Sequence, residues 1–521
     1  MPLADLIRDN PILIRHMRAR LRWQQVVTAL VIVLVLSGCL TLLGLLSLLT
    51  NDPNSDETWY SAVILTVVLQ GLVLFMIGGG QVGNAVGSAR ESGMMDFHRI
   101  SPQSPSALAL GFLIGAPIRE YMMFACTLPG YALLVTAIPQ SLLMSGDLQV
   151  DQLWLLPLVM LVLALLYHTI GVVGGLSVSG AQRRNAGVLV ILVVIIVTTL
   201  GLFPPMAYLS FLAPLWLALN DDLSNIPIQF TFFGAGLPIV FLSLLHQGTL
   251  FAFCWLAAVQ KIRQESTLPF TRPVALLFFA VIGFLCLGDV IIRRDAWSGT
   301  AHADETSMTV LLYSLTILAL VLSASLTPQE GQVVRGIRQA RKVGLLRVPR
   351  WSSAAANWPP VLAFAGMLLV FSLVGTGICC LMNPTFRLGA TLAAIFIAVG
   401  TVLHFGFLHQ YFLLKFRKQG NNYFALTLFL GWLLPIIFGL LLAALQAEEV
   451  VWEATMSFSP LAGLGLAFHP DNGALCSVIA IPVTVLWTGI ALGLMSPTVT
   501  HLTRGVWIAS RPEPAPVPAE R

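Results

Sequence analysis

Residues 24–49, QQVVTALVIVLVLSGCLTLLGLLSLL, form an apolar run without a charged side chain, and this run decides the fold class. It exceeds the roughly 20 apolar residues that an α-helix needs to cross a bilayer. The basic residues Arg15, Arg18, Arg20 and Arg22 precede it, and no small-residue cleavage site follows it. We therefore interpret the run as a retained membrane span that places the N-terminus in the cytoplasm.

Similar runs recur along the whole chain. Of its 521 residues, 57% are hydrophobic and only 10% are charged, whereas a soluble surface needs roughly a quarter of its residues charged. Runs of about 20 apolar residues lie near 24–49, 59–80, 108–138, 153–178, 187–203, 237–259, 274–292, 309–327, 359–382, 389–414, 424–446 and 474–495. The sequence thus predicts an all-α polytopic membrane protein with about 12 transmembrane helices. The seven cysteines all lie in or beside these runs, which is typical of small apolar residues and not of a disulfide framework.

The distribution of charge predicts the orientation of the spans. With both termini inside, the outer loops hold 14 of the 24 acidic residues but only three of the 28 lysines and arginines. Basic residues concentrate on cytoplasmic loops when helices insert. The charges therefore favour cytoplasmic N- and C-termini.

The two halves of the chain present their features in the same order. In the first half, a span with His168 leads to GAQRRNAG, a short apolar run, FLAPLWLAL and a final span. In the second half, a span with His404 leads to KFRKQGNN, a run, SFSPLAGLGLA and a final span. The offset of 236 residues between the two histidines predicts two parallel six-helix repeats, since an even number of spans keeps both halves in one orientation. We place the repeats at 24–265 and 266–505, followed by a disordered proline-rich tail at 506–521.

Long cytoplasmic segments follow the second and the eighth span, at 81–107 and 328–358. In the second segment, basic residues recur three to four positions apart and share one helix face: Arg335, Arg338, Arg341 and Lys342. Two interpretations remain open for this segment. It is either an interfacial helix whose basic side chains contact anionic lipids or a helix that docks to a protein partner.

Several chemical motifs do not occur. A phosphate-binding nucleotide loop needs Gly-Lys followed by Ser or Thr, and none of the four lysines lies in that context. No zinc-protease motif, zinc-spaced cysteine pair or nucleophile elbow is found. We therefore expect no enzyme activity, no cofactor and no metal in this chain, and no nucleic acid among its partners.

Ionisable residues at membrane depth are functional candidates because they are costly to bury. In chain order they are Arg119, Glu120, His168, His246, Asp289, His404 and His409. For Asp289, a local ion pair with Arg293, four residues later, is expected. Arg119 and Glu120 are adjacent, so on a straight helix they point about 100° apart and are not expected to pair. They lie either near the cytoplasmic boundary, after a proline-broken helix start, or in a buried charged site on a translocation path. For the equivalent pair His168 and His404, a neutral histidine between helices is expected, with a haem or proton-relay role as the alternative.

The stretch ARESGMMDFHRISPQSPSALALGFLIGAPIREYMM, at 89–123, resembles the cytoplasmic segment of type-2, exporter-class ABC-transporter permeases. The residues that match the family pattern are Glu91, Gly93, Met95, Asp96, Ser101, Pro102, Gly111 and Gly115. The stretch NPILIRHMRARLR, within 1–23, resembles the amphipathic elbow helix of the same family. FLAPLWLAL resembles its re-entrant segment between the fifth and sixth spans.

The resemblance implies a coupling site. In that family, the segment after the second span folds as a short helix that seats in a cleft of the ATPase subunit. Carried over to this sequence, the residues that couple to the ATPase are Arg90, Glu91, Gly93, Met95, Asp96, Arg99 and Pro102. The second repeat keeps only Glu330 and Gly331 of the pattern. Glu330 and the four basic residues of 328–358 are therefore expected to form a second, degenerate contact with the ATPase or with lipids.

The resemblance also implies a function. It predicts a permease that moves a substrate, with export as the expected direction, driven by ABC ATP-binding subunits that carry ATP and Mg. Two such subunits are expected per chain, because two fused permease units would make one chain a complete pseudo-dimer. The expected location is a bacterial cytoplasmic (inner) membrane. The alternatives are a twelve-span secondary transporter and, less favoured, a membrane haem protein or enzyme.

Overall fold

A computed structural model describes most of the chain. The described residues are 10–49, 55–100, 103–139, 150–177, 187, 191, 229–232, 235–264, 269–296, 303–328, 330–342, 360–383, 386–416, 419–469 and 471–509. The chain divides into two compact units, Met1–Pro269 and Phe270–Arg521. Each unit is built from helices, which confirms the helical fold class.

The first unit contains nine helices and one short hairpin among its described residues. The helices are α1 (Pro11–Arg20), α2 (Trp23–Leu49), α3 (Ser55–Gly71), α4 (Gly79–Glu91), α5 (Met94–Ile100), α6 (Pro105–Gly115), α7 (Ile118–Thr136), α8 (Val150–Ser177) and α9 (Ile239–Arg263). A π-helical segment, Leu72–Gly78, joins α3 to α4 in one continuous helix. The hairpin pairs β1 (Gln229–Phe232) with β2 (Ala235–Pro238) in antiparallel fashion.

The second unit contains ten helices within its described part. They are α10 (Arg272–Ala296), α11 (Ala303–Leu326), α12 (Glu330–Lys342), α13 (Val361–Met382), α14 (Leu388–Phe416), α15 (Gly420–Leu428), α16 (Leu434–Ala444), α17 (Glu449–Met456), α18 (Pro460–Leu466) and α19 (Gly473–Ala509). A second π-helical segment, Phe429–Leu433, joins α15 to α16.

Nine helices of the described chain are long and apolar enough to cross a membrane. They are Trp23–Leu49, Thr58–Glu91, Leu153–Ser177, Val240–Arg263, Met308–Leu326, Val361–Leu381, Leu388–Phe416, Gly420–Ala444 and Gly473–Leu502. The helices α6 and α7 meet at an angle of 49° and make a tenth span when counted together. All ten lie on runs that the sequence predicts as spans. The protein is therefore a multi-pass helical membrane protein.

The count of twelve spans stays a prediction. The run at 274–292 lies in α10, whose residues with described side chains form an apolar stretch over Arg272–Gly288, shorter than a full span. The run at 187–203 lies outside the described residues except at positions 187 and 191. The re-entrant segment predicted in the first half, FLAPLWLAL, is likewise outside the described part of the chain.

The start of α1 is fixed against α6. The Asn10 Oδ1 atom accepts hydrogen bonds from the backbone N–H groups of Ile12 and Leu13, at 3.1 and 3.2 Å, and so caps the helix. The Asn10 Nδ2 atom donates to the carbonyl oxygen of Ala107 at 2.5 Å. Gly111 permits this approach, since a β-carbon there would lie 2.9 Å from the Ile12 side chain. The amphipathic helix α1, which precedes the first span, is thereby attached to α6.

A glycine also sets the distance between two helices of the second unit. A β-carbon at Gly406 on α14 would overlap the side chain of Val361, the first residue of α13. At Gly389, near the start of the same helix, an added β-carbon would meet nothing within 4 Å. Gly406 therefore marks a close helix–helix contact and Gly389 does not.

Candidate functional site

The segment predicted to couple to an ATPase forms a helix–turn–helix at the end of the second span. Helix α4 ends at Glu91, and Gly93 adopts a left-handed backbone conformation with φ +72°. The backbone N–H groups of Ser92 and Gly93 donate to the carbonyl oxygens of Ser88 and Arg90, at 3.0 and 3.3 Å. Side chains with a β-carbon disfavour this φ, so glycine is needed to turn the chain from α4 into α5.

One face of α5 is packed against the rest of the first unit. Met95 is 1% exposed and belongs to an apolar cluster that includes Phe112 of α6 and Ile262 of α9. The Arg99 Nε atom donates to the backbone carbonyl of Ile262 at 3.0 Å. The Arg99 Nη1 atom lies 2.6 Å from the Asp96 Oδ1 atom. The short helix is therefore attached to α6 and α9 as well as to α4.

The opposite face of α5 is open. Phe97 is 66% exposed and Ile100 is 84% exposed. The Asp96 side chain is 75% exposed despite its ion pair, and Glu91 is exposed at the end of α4, whereas Arg90 is half-buried. The tip of the second span thus presents two large apolar side chains flanked by carboxylates.

The structure gives the predicted coupling residues different roles. Gly93 shapes the turn, Met95 anchors α5, and Arg99 is used within the unit, with a side chain only 17% exposed. Phe97 is absent from the predicted set although its aromatic side chain is 66% exposed. Its signal in the sequence was an apolar residue between two polar neighbours, Asp96 and His98. Pro102 lies outside the described residues.

The second predicted contact segment forms α12, in the other unit. Val333 and Ile337 are 3% and 0% exposed and pack on Leu414 of α14. Arg335 and Arg338 are exposed on the other side of the helix. The apolar face is thus docked and a basic face remains open.

The other predicted residues of this segment lie at the two ends of α12. Glu330 is its first residue and occupies the first turn, where a carboxylate favours the helix N-terminus. Arg341 and Lys342 are its last two residues, and their side chains lie outside the described part of the chain.

Arg119 and Glu120 form an ion pair, which shows that the expectation for neighbouring residues was wrong. The Arg119 Nη2 and Nε atoms donate to the same Glu120 oxygen, Oε1, at 2.8 and 3.2 Å. Both residues lie in the first turn of α7, just after the bend, and Glu120 is fully buried. The Cβ atoms of Arg119 and Glu120 point apart on the helix, but the arginine side chain is long enough to reach the neighbouring carboxylate. The pairing is favourable because an unpaired buried carboxylate would be costly.

His168 uses both ring nitrogens within the first unit. The Nδ1 atom lies 2.9 Å from the Tyr121 hydroxyl group, and the Nε2 atom lies 2.9 Å from the carbonyl oxygen of Leu74, in the π-helical segment 72–78. A carbonyl oxygen only accepts, so Nε2 carries the proton and Nδ1 accepts from the tyrosine. In a neutral ring, both nitrogens are thus used within the unit, and the side chain joins three helices.

The other two candidate histidines have different surroundings. His404 is 2% exposed, stacks on Trp487 with ring centroids 5.4 Å apart, and meets Trp432 edge-on at 5.8 Å. Among the described residues, neither of its nitrogens has a hydrogen-bond partner. His246 is 3% exposed, and its Nδ1 atom lies 2.8 Å from the Leu242 carbonyl, one turn earlier on α9. The histidines that correspond in the sequence repeat therefore differ in their contacts.

A further polar cluster, which the sequence reasoning missed, joins α17 to the end of α18. The His469 Nε2 atom lies 3.4 Å from Glu453 Oε1 and 3.6 Å from Glu449 Oε1, and Glu453 is 1% exposed. The backbone N–H of Asn472 donates to His469 Nδ1 at 3.3 Å. In a neutral ring the proton therefore sits on Nε2 and faces the carboxylates. This tautomer favours a hydrogen-bonded Glu–His group over a metal site, which would need the Nε2 lone pair.

No protein-family model, curated protein or solved structure matches this chain. The resemblance of residues 89–123 to exporter-class permeases therefore stays a prediction. The geometry of α5 and its attachments carries the functional argument.

Proposed function

We propose that this chain is the membrane-spanning permease subunit of an ATP-binding cassette transporter, moved by separate ATPase subunits. The observation that carries the proposal is the two-faced helix α5. It stands at the end of a 34-residue helix, Thr58–Glu91, and presents Phe97 and Ile100 outward. Exposed aromatic and apolar side chains with neighbouring charges are typical anchors of protein interfaces. The charges of Glu91 and Asp96 add partner specificity.

The attachments of α5 suit it to transmit movement. A partner that displaces α5 pulls on α4 through the Gly93 turn and on α9 through the Arg99–Ile262 hydrogen bond. It also pulls on α6 through the cluster around Met95. A displacement of α5 would thus act on the ends of several membrane helices. Coupling the closure of an ATPase to transport requires a mechanical connection of this kind.

The remaining parts of the proposal rest on the missing nucleotide-binding loop, on the two predicted repeats and on the resemblance to exporter-class permeases. Since the sequence has no nucleotide-binding loop, ATP and Mg would be bound by the partner. Two partner copies per chain are proposed, with α12 as the second, weaker contact. Both termini would lie in the cytoplasm of a bacterial cell, in its inner membrane, and transport would run outward.

Affinity purification of the tagged chain from its native membranes tests the proposal. We expect an ATPase subunit to copurify at two copies per chain. Phe97→Asp and Ile100→Asp are expected to reduce its recovery by at least tenfold, because loss of a buried apolar anchor costs about 2 kcal/mol or more. Phe458→Asp is the matched control: Phe458 is 52% exposed in the turn between α17 and α18, on the side predicted to be external.

Three outcomes would count against parts of the proposal. Two chains per ATPase pair would contradict the pseudo-dimer. Equal loss in the Phe458 control would show that the effect is not specific to α5. Absence of any ATPase, together with transport that collapses with the proton gradient, would favour a secondary transporter.

A further inference from the structure

A pocket of about 470 Å³ lies between α1, α4 and α6, beside the turn that leads to α5. Two arginines of α1, Arg15 and Arg20, line it. Asn84, Ser88 and Ser92 contribute polar side chains from α4 and the following turn. None of the described residues that line the pocket is acidic. The lining therefore combines net positive charge with several neutral polar groups.

The polar groups are mostly hydrogen-bond donors. The two arginines can only donate. The Oδ1 atom of Asn84 already accepts a hydrogen bond from the backbone N–H of Gly187 at 3.0 Å. The Nδ2 atom of Asn84 is therefore the part of this side chain that would donate to an anion. The Ser88 hydroxyl adds a donor that can rotate. Such a set is complementary to an anion with several acceptor oxygens, above all a phosphate group.

His16 lines the pocket and adds no charge to it at neutral pH. Its ring packs on Phe112 with centroids 5.5 Å apart. Burial, and then the charges of Arg15 and Arg20, lower the pKa of His16 to about 4. The ring is therefore neutral at neutral pH, and the two arginines supply the charge that an anion would meet.

The position of the pocket indicates which kind of molecule would carry the bound phosphate group. Arg20 is the last residue of α1, and Trp23 begins the first membrane span with 80% of its surface exposed. Tryptophan is enriched at the membrane–water interface, where lipid headgroups lie. Gln25, in the first turn of that helix, also lines the pocket. The volume falls in the range of about 300–1,000 Å³ typical of small-molecule sites and exceeds what a phosphate alone needs.

We propose that this pocket binds the phosphate group of an anionic phospholipid, with Arg15 and Arg20 as its cationic ligands and Ser88 and Asn84 as neutral donors. The lipid would bridge the amphipathic helix α1 and the end of the second span. The Arg15 Nη1 atom also donates to the Met94 sulfur atom at the start of α5. A bound headgroup would thereby restrain the junction from which α5 extends. The proposal does not depend on the identity of any ATPase partner.

Native mass spectrometry of the purified, delipidated full-length chain tests this site. The probes are phosphatidylglycerol, phosphatidylcholine and inorganic phosphate, each titrated separately. Wild-type protein is expected to bind phosphatidylglycerol more tightly than phosphatidylcholine. Arg20→Gln is expected to weaken phosphatidylglycerol binding about tenfold or more, the effect of losing one charged hydrogen bond. Arg20→Lys, which keeps the charge, is expected to retain most of the binding and controls for misfolding.

The matched control is Arg18→Gln, because Arg18 lies on the same helix and does not line the pocket. Equal weakening in Arg18→Gln and Arg20→Gln would overturn the site, since it would show that only the overall charge of α1 matters. Equal affinity for both lipids in the wild type would also overturn it. Inorganic phosphate that binds as tightly as phosphatidylglycerol, and depends on Arg20, would support the phosphate site but overturn the lipid as its source.

Discussion

Replacing Gly93 with alanine tests whether the left-handed turn holds α5 in place. Gly93 has φ +72°, and a β-carbon added there would meet nothing within 4 Å. The cost is therefore purely one of backbone conformation, about 1–2 kcal/mol for an L-residue in this region. The chain can relieve it by changing φ, which turns α5 away and breaks the hydrogen bond from Arg99 to Ile262. A cost of this size shifts the equilibrium between docked and undocked α5 by about 5- to 30-fold.

Hydrogen–deuterium exchange of the purified protein measures this equilibrium at the amides of 94–100. In Gly93→Ala these amides are expected to exchange about 5–30 times faster than in the wild type. Gly93→Asn is expected to show a smaller increase, because asparagine tolerates the left-handed region better than alanine. The control is Gly331→Ala, in α12, where the glycine is helical and an added β-carbon also meets nothing within 4 Å. There, exchange is expected to stay unchanged or to slow, since alanine favours the helix.

An unchanged exchange rate in Gly93→Ala would refute this reasoning, because the left-handed turn would then contribute nothing to the docking of α5. Faster exchange spread over all helices would also refute it, since the cost would then fall on the whole unit. Under the proposed function, ATP hydrolysis should become uncoupled from transport in the same order of variants.

Three further predictions rest on contacts described above. Arg119→Leu is expected to destabilise the protein by about 3–5 kcal/mol because it leaves the buried Glu120 carboxylate unpaired. Adding Glu120→Leu should restore part of the melting temperature lost in Arg119→Leu. A double variant no more stable than Arg119→Leu alone would contradict the pairing. Gly406→Ala is expected to lower the free energy of unfolding by about 1–3 kcal/mol through overpacking. Gly389→Ala, on the same helix, is expected to leave the melting temperature unchanged. Equal melting temperatures for the two variants would argue against the close helix contact at Gly406. Phosphatidylglycerol should bind more tightly at pH 5 than at pH 7, because a bound anion raises the low pKa of His16 and the complex then takes up a proton as the pH falls. The two pocket arginines are the charged groups acting on this ring, the lining side chains of α4 and α6 do not titrate, and a flat pH profile would place the ring outside the influence of the ligand.

The spans were the most predictable part of the fold. A run such as 24–49 must be at least as long as the bilayer is thick, and few other structures use so many consecutive apolar residues. The bend between α6 and α7 also had a sequence signal, because Pro117 cannot continue the preceding helix without breaking its hydrogen bonds. The segment Leu72–Gly78 had none, since LVLFMIG reads as ordinary apolar helix and its π geometry depends on neighbouring helices.

The candidate sites were predictable only where they are local in sequence. The amphipathic face of α12 follows from spacing along a short segment, whereas Gly93 was named only through the family resemblance and its turn was not predicted. The pocket beside α5 brings Arg15 next to Ser88, residues far apart in the chain, and the Glu449–Glu453–His469 cluster requires the fold of α18. The pairing of Arg119 with Glu120 was mispredicted because helical geometry constrains where a side chain starts and not where a long one ends.

The π-helical segment within the second span has a consequence for insertions and deletions. Each π-type turn closes with one residue more than an α-type turn, so Leu72–Gly78 contains a surplus residue that the helix accommodates without losing its path. Deleting one residue there would allow an ordinary α-helix with α3 and α4 still facing their present neighbours. It would also remove the local distortion at Leu74, whose carbonyl oxygen lies against His168. A deletion elsewhere in the span would instead rotate everything beyond it by about 100°. The second span therefore tolerates a change of length at one place along its course, and that place is in contact with a buried histidine.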